Sequence, residues 1–314
     1  KGQSPEAVAE ELYGGVELPA YTVDGRVDIK TFLNPPQRVD NLGVDVQMRN
    51  RRLEMRNLTG TTYGGQLAGS VTFEQSQSAA TSSRASGERV LMASAEPAVA
   101  PISSRSVDDP ASNLDYDIQL NDAKASAFLK DWTTLGKFVN GTLDLNMDGG
   151  TPLTEGMLPI ANLLTAKGTS IVADGGLSLN LGVVKGLVNN LGIGSSLLSS
   201  FKQFGGDFTI EDGVFKLGTW NLGGQQTNAR VTGALGLNGS VDLDMTMDLP
   251  LSTLQNSKLS SLVGAGGLLQ KLTGAGNGDK TVPVKISLGG TMRDPTVEVV
   301  DKDAVKSAIQ ELAK

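Results

Sequence analysis

The sequence contains no cysteine and no histidine. Without cysteine there is no disulfide framework and no thiolate metal site, and the redox compartment is left open. Without histidine the chain lacks the commonest general base at neutral pH, the usual zinc and copper ligand, and the base of Ser-His and Cys-His nucleophile pairs. Most familiar hydrolase and metalloenzyme mechanisms are thereby excluded. The expectation is a non-enzymatic protein with no catalytic, metal-ligating or cofactor-binding residue. Aromatic residues are scarce, at 4%, which leaves little bulky filling for a core. Positive charge is scarce too: 27 lysines and arginines stand against 34 acidic residues, a net charge of −7. No basic run exists to neutralise a phosphate backbone, so nucleic acid is not an expected partner. No stretch approaches the roughly 20 apolar residues of a membrane-spanning helix, and no signal-peptide pattern is present. The first residue is Lys1, and the chain reads as a soluble piece of a longer protein whose targeting segment would lie upstream.

Glycine, by contrast, is abundant, with 39 in 314 residues against a usual share of about 7%. That favours many turns and many short strands. The length allows one elongated domain or two compact ones. A short helix is predicted at the N-terminus, where Ser4 can cap, Pro5 suits the first helical position, Val8 and Leu12 share a face, and Gly14-Gly15 can stop it. Apolar residues then recur mostly at every second position: Val27, Ile29 and Phe32, then Val44, Val46 and Met48, then Leu53 and Met55, then Val71 and Phe73. Such spacing predicts half-buried antiparallel strands. Residues 1–74 form this first region. Over residues 75–113 the pattern stops and Ser, Ala, Pro, Arg and Glu accumulate, which predicts a flexible insert. From 114 to 314 alternation resumes with Tyr116, Ile118 and Leu120. Asp122 is predicted to start a helix carrying Ala125, Phe128, Leu129 and Trp132.

A Gly-x-apolar-x-apolar unit then repeats at irregular intervals. It occurs as Gly69-Ser-Val-Thr-Phe73, Gly141-Thr-Leu-Asp-Leu145, Gly175-Gly-Leu-Ser-Leu179, Gly213-Val-Phe-Lys-Leu217, Gly233-Ala-Leu-Gly-Leu237 and Gly239-Ser-Val-Asp-Leu243. A glycine lets the backbone turn or bulge just before a strand that is apolar on one face. Iterated, the unit predicts a meander, strand after strand added to one sheet. Two stretches, 185–201 and 254–272, carry leucines among Gly, Ser and Asn and are predicted as short amphipathic helices packed over an end or face of that sheet, with a membrane-touching or lipid-touching role as the alternative. A strand pair at 282–288 and 296–300 and a final helix bearing Val305, Ala308, Ile309 and Leu312 close the chain, with Asp301 or Asp303 as its cap.

Two constellations deserve weighing for chemistry. Ser199 and Lys202 have the Ser-x-x-Lys spacing of serine acyltransferases, yet no Ser-Asp-Asn or Lys-Thr-Gly companion accompanies them. Asp242, Asp244 and Asp248 lie on one side of an alternating segment, where a charged solvent face is the simpler reading, because carboxylates spaced by two along a strand diverge.

Several longer segments resemble the AsmA family of bacterial envelope proteins, which is similar in turn to TamB and to bridge-like lipid transfer proteins. They are Phe204-Gly-Gly-Asp-Phe-Thr-Ile-Glu-Asp-Gly-Val-Phe215, Val231-Thr-Gly-Ala-Leu-Gly-Leu-Asn-Gly-Ser-Val-Asp-Leu243 and Val282-Pro-Val-Lys-Ile-Ser-Leu-Gly-Gly-Thr-Met-Arg-Asp-Pro-Thr-Val297. The resemblance is to the family's C-terminal region over residues 158–300, and earlier strands look similar. It implies one elongated domain over residues 1–314, built as a long, curved antiparallel sheet forming an open apolar groove. It also implies an inner-membrane anchor at the parent's N-terminus, a periplasmic body in a Gram-negative bacterium, and phospholipid transport between inner and outer membranes as part of outer-membrane biogenesis. The insert at 75–113 and the missing anchor depart from the family pattern.

Physical reasoning points the same way, since strands apolar on one face must bury that face against something. A floor of Leu, Val, Ile and Met suits acyl chains, whose burial is favourable by roughly 0.8 kcal/mol per CH₂. The expected lipid-binding residues are Val71, Phe73, Leu143, Leu145, Leu177, Leu179, Phe215, Leu217, Leu235, Leu237, Val241 and Leu243. The competing expectation is a scaffold or assembly factor for outer-membrane proteins that receives another chain's strand at a sheet edge. A transmembrane barrel ranks lower, because barrels carry aromatic girdles.

Overall fold

The computed structural model describes residues 22–34, 36–75, 112–132, 134–154, 159–160, 163–178, 182–192, 199–224, 228–236, 238–262, 264–292 and 294–313. The predicted N-terminal helix and nearly all of the predicted insert lie outside these residues.

Thirteen strands form one antiparallel sheet: β1 (Val23–Asn34), β2 (Gln37–Arg49), β3 (Arg52–Thr62), β4 (Gly65–Gln75), β5 (Ser112–Lys124), β6 (Val139–Leu153), β7 (Thr165–Leu177), β8 (Phe201–Glu211), β9 (Val214–Gly223), β10 (Asn228–Gly236), β11 (Val241–Pro250), β12 (Thr281–Gly290) and β13 (Pro295–Val299). Each strand pairs only with its neighbours in sequence, and β13 does not return to β1. The protein is therefore mainly β, with an open sheet and few short helices. Two-residue turns join β2 to β3 at Asn50-Arg51, β3 to β4 at Tyr63-Gly64 and β8 to β9 at Asp212-Gly213, each with positive φ at both central residues. That is the geometry of hairpin turns whose twist matches the strands they join.

The register keeps one face apolar from end to end. Val27 lies opposite Val44, and Met48 opposite Leu53. The row continues through Leu53 and Phe73, Phe73 and Leu114, Leu120 and Leu145, and Leu143 and Val172. It passes on through Val172 and Phe204, Phe208 and Leu217, Val231 and Trp220, Val231 and Met245, and Met245 and Ile286. The opposite face carries ion pairs: Arg26 with Asp45 at 3.0 Å, Arg52 with Glu54 at 2.8 Å, and Lys216 with Glu211 at 2.9 Å.

Among the described residues every α-helix follows an odd-numbered strand. Helix α1 (Ala125–Trp132) follows β5. Helix α2 (Gly182–Gly186), continued by a π turn at Leu187–Leu191, follows β7. Helices α3 (Leu251–Gln255), α4 (Leu259–Leu262) and α5 (Gly266–Gly274) follow β11, and α6 (Lys302–Glu311) follows β13. In a sequential antiparallel meander the odd strands all point the same way, so these helices gather along one rim of the sheet. They cover the apolar face there. Helix α3 packs on β11, α6 on β12, and α2 reaches β13, where Gly186 comes up against Val297 and Pro295. Burial is complete beneath them: Met247, Leu249, Val282, Val284 and Leu288 are wholly inaccessible. At the other end of the sheet, Val23 and Val27 on β1 remain 39% and 41% exposed.

Several expectations are refined. The helix expected from Asp122 begins at Ala125 instead. Asp122 belongs to β5, with φ 57°, where its N–H donates to Asp144 Oδ1 at 2.9 Å. Of the 185–201 stretch, the described part is α2 and its π turn, while Phe201 already opens β8. Asp301, not Asp303, caps α6 by accepting from the Ala304 N–H at 2.9 Å. The repeated glycines divide into two kinds. Gly213 and Gly239 stand in turns just ahead of a strand, as expected. Gly141 and Gly233 lie inside β6 and β10, with φ 126° and 125°, where the pairing register shifts. A Cβ on Gly233 would sit 2.2 Å from the Asp242 carbonyl oxygen, so only glycine serves there.

The burial gradient sets an expectation for stability. Leu288→Ala leaves a cavity under full cover and is expected to cost about 2–5 kcal/mol. Val27→Ala, at an exposed position, is expected to cost less than about 1 kcal/mol. Urea unfolding of the two variants checks this, and equal losses would contradict the gradient.

Candidate functional site

Ten of the twelve expected lipid-binding residues are described, and all ten fall on the apolar face; Leu179 and Leu237 lie outside the described residues. Val71 sits between Met55 and Tyr116, and Phe73 between Leu53 and Leu114. Leu143 and Leu145 face Val172 and Ser170, and Leu177 pairs with Val139. Phe215 lies between Ile210 and Leu235, Leu217 between Phe208 and Gly233, and Leu243 between Gly233 and Leu288. Val241 completes the row opposite Leu235.

They are not equally accessible. Phe73, Leu143, Leu145, Val241 and Leu243 are buried, and the last four belong to the same packed core as the helices. Val71, Leu177, Phe215, Leu217 and Leu235 are half-buried. Accessibility rises along individual strands away from the helical rim: on β9, Leu222 and Trp220 are buried and Leu217 and Phe215 are not, and on β10 Ala229 and Val231 are buried and Leu235 is not. Val71 and its neighbours Leu53, Met55 and Leu67 on β3 and β4 are half-buried as well. The less covered positions thus lie on the first four strands, apart from the buried Val44, Met48 and Phe73, and at the turn-side ends of β8 to β10, apart from the buried Phe208.

The lining is not purely aliphatic. Phe201, Phe204, Phe208, Phe215 and Trp220 form a run of ring contacts across β8 and β9, with Phe208 stacked on Phe215 at 4.9 Å and Phe204 edge-on to Trp220 at 5.1 Å. The Trp220 indole N–H donates to the Asp207 carbonyl at 2.8 Å, which satisfies its one polar atom and leaves the ring to pack. Low overall aromatic content concealed this cluster. Its signal was local, in the even spacing of Phe204 and Phe208 and the return of Phe215 after a two-residue turn.

The polar candidates are not drawn together. Lys202 is in strand β8 and exposed, so it and Ser199 do not share a helical turn. Asp242, Asp244 and Asp248 alternate along the charged face of β11, all exposed. Among the described residues no group of three acidic side chains is placed to hold a metal ion. Two open clefts lie among the described residues. One, of about 410 Å³, lies among Asn221, Asn228, Arg230, Thr246, Asp248 and Pro283. The other, of about 560 Å³, lies beside Tyr116, Asp148, Thr151 and Leu163, where burial pushes the Tyr116 phenol above its ordinary pKa. Neither is lined by any of the expected lipid-binding residues. No described helix is long and apolar enough to cross a membrane.

No family model, no curated protein and no solved structure matches this chain. The resemblance to the AsmA family rests on the residues quoted for it.

Charge pairs on the first two strands give this end of the sheet a pH dependence. Hydrogen bonds from Arg38 and then Thr31 hold the Asp40 carboxyl below its ordinary range, and one from Asn57, with a smaller contribution from Arg26, does the same for Asp45. A carboxylate depressed in the folded state contributes stability at neutral pH that is lost as the pH falls through the carboxylate range. Amides of β1 and β2 are therefore expected to exchange faster at pH 3 than at pH 7, relative to those of β12 after correction for intrinsic rates. Equal protection ratios at the two pH values would contradict this.

Proposed function

We propose that the protein shields hydrocarbon chains along the less covered part of its apolar face, as a non-enzymatic conduit for phospholipid between the inner and outer membranes. The observation that carries the reading is the single apolar row that passes through all thirteen strands without switching faces, wholly buried under the helices at β11 and β12 and keeping accessible surface at Val71, Phe215, Leu217 and Leu235. A globular core would need that row closed by a second layer along its whole length. Here the described helices gather on one rim, and Phe215, Leu217, Leu235 and Val71 keep accessible surface.

Contacts of this kind are weak, numerous and non-directional, at roughly 0.8 kcal/mol per CH₂. They are also interchangeable from strand to strand, so an acyl chain meets no deep trap. The charged opposite face keeps the headgroup side and the tail side of the sheet distinct. The AsmA resemblance supports the setting, a periplasmic body on a parent anchored in the inner membrane. Leu143, Leu145, Val241 and Leu243 serve in this reading as packed support for the accessible row.

The test is a photo-reactive residue at Leu235 and, for comparison, at Lys216 on the charged face. Cross-linking to phospholipid is expected at Leu235 and absent at Lys216, and Leu235→Asp is expected to reduce co-purified phospholipid several-fold in native mass spectrometry. A lipid-free protein that instead captures unfolded barrel strands would replace this reading with the scaffold one. Leu243→Asp is expected to unfold the chain, so loss of lipid in that variant carries no weight without a folded control.

A further inference from the structure

We propose that two copies of this chain join edge to edge through β1, antiparallel and centred on Val27, to make one continuous sheet. The proposal is independent of the lipid reading.

The two ends of the sheet differ. Strand β13 has five residues, and α2 packs against it. Strand β1 has twelve, and among the described residues no strand pairs with its outer side. A long edge with unpaired N–H and C=O groups receives another strand readily unless something discourages it. Here the side chains select a partner. On the charged face β1 reads Asp24, Arg26, Asp28 and Lys30, alternating in sign, and on the apolar face Val23, Gly25, Val27 and Ile29.

A two-fold axis normal to the sheet through Val27 sets Arg26 opposite Asp28 of the second copy and Asp24 opposite Lys30, and symmetry repeats both pairs. On the other face Val27 meets Val27, and Gly25 meets Ile29. Opposite charges directly across an antiparallel pair attract, and like charges repel. Shifting the centre to Arg26 places arginine on arginine and Asp24 on Asp28. Shifting it to Asp28 places aspartate on aspartate and Arg26 on Lys30. The sequence therefore favours one register and rejects its neighbours, which is how a specific edge differs from a sticky one. Lys30 has no ion pair within its own chain among the described residues, and Val23 and Val27, two of the four exposed large apolar side chains on β1 with Phe32 and Leu33, are ones that such pairing would cover. Because the axis is normal to the sheet, the apolar faces of the two copies lie on the same side.

The chain has no cysteine, so engineered ones report without interference. Val27→Cys is expected to cross-link to itself on mild oxidation or with a short bismaleimide. A mixture of Gly25→Cys and Ile29→Cys is expected to oxidise to the mixed disulfide, while Gly25→Cys alone is not. Sedimentation of the unmodified protein is expected to show a concentration-dependent dimer. Lys30→Asp should raise its dissociation constant about tenfold or more, since two ion pairs become repulsions, and Asp24→Lys in the same chain should restore it. Circular dichroism confirms that each variant is folded. A protein that stays monomeric at about 0.1 mM, with Val27→Cys failing to cross-link, overturns the proposal and leaves the edge to a different strand. A dimer indifferent to Lys30→Asp overturns it as well.

Discussion

Parity governs this molecule. Side chains along a strand alternate with a period of two, so a slip of one residue anywhere would send every later apolar group to the wrong side. Thirteen strands multiply that hazard. The chain meets it by placing each irregularity where an extra residue can be absorbed. Asn57 and Asp122 adopt positive φ beside the register shifts of β3 and β5, and Gly141 and Gly233 do so within β6 and β10. At a bulge two residues oppose one, so the alternation resumes in phase on both sides of it. Leu53, Phe73, Leu145, Val172, Phe208, Leu217 and Val231 consequently share one side although local shifts lie between them.

The same apolar row serves two ends. Under α3, α5 and α6 it is ordinary core, with Met247, Leu249, Val282 and Val284 lacking any accessible surface. Away from that rim burial is uneven: Phe73, Phe208 and Val241 are buried, whereas Val71, Phe215, Leu217 and Leu235 are half covered. Helix α2 contributes in a way local pairing would not. It leaves β7 yet packs against β13, and the Lys258 ammonium donates to the Asn189 carbonyl at 2.6 Å beside it, which ties distant strands together across the apolar side.

Much of the architecture was legible because it depends on neighbours. Alternation at Val44-x-Val46-x-Met48 or Val241-x-Leu243-x-Met245 announces a strand with one oily side, and Asp-Gly at 212–213 announces its turn. An uninterrupted series of such signals yields a meander, since nothing in the chain calls for a crossover. What stayed hidden depends on distance. No periodicity in residues 182–191 states that they will meet β13. The partition of Leu143 from Leu217, one buried and one accessible, follows from where helices come to rest on the sheet: α1 packs on β6, and no alternation of residues states that. Gly233 looked like the start of a strand because a glycine followed by alternating leucines reads identically whether it precedes the strand or bulges within it. The ring cluster of β8 and β9 was obscured because composition averages over the whole chain while contact does not.

The grouping of the described α-helices behind odd-numbered strands carries an implication for how such a protein can change in length over evolutionary time. Duplicating or deleting one hairpin, two strands together, preserves the direction of every later strand and leaves each capping helix on its side. Gaining or losing a single strand would reverse all that follow and strand the caps on opposite borders. Size variants of this architecture are therefore expected to differ in even steps.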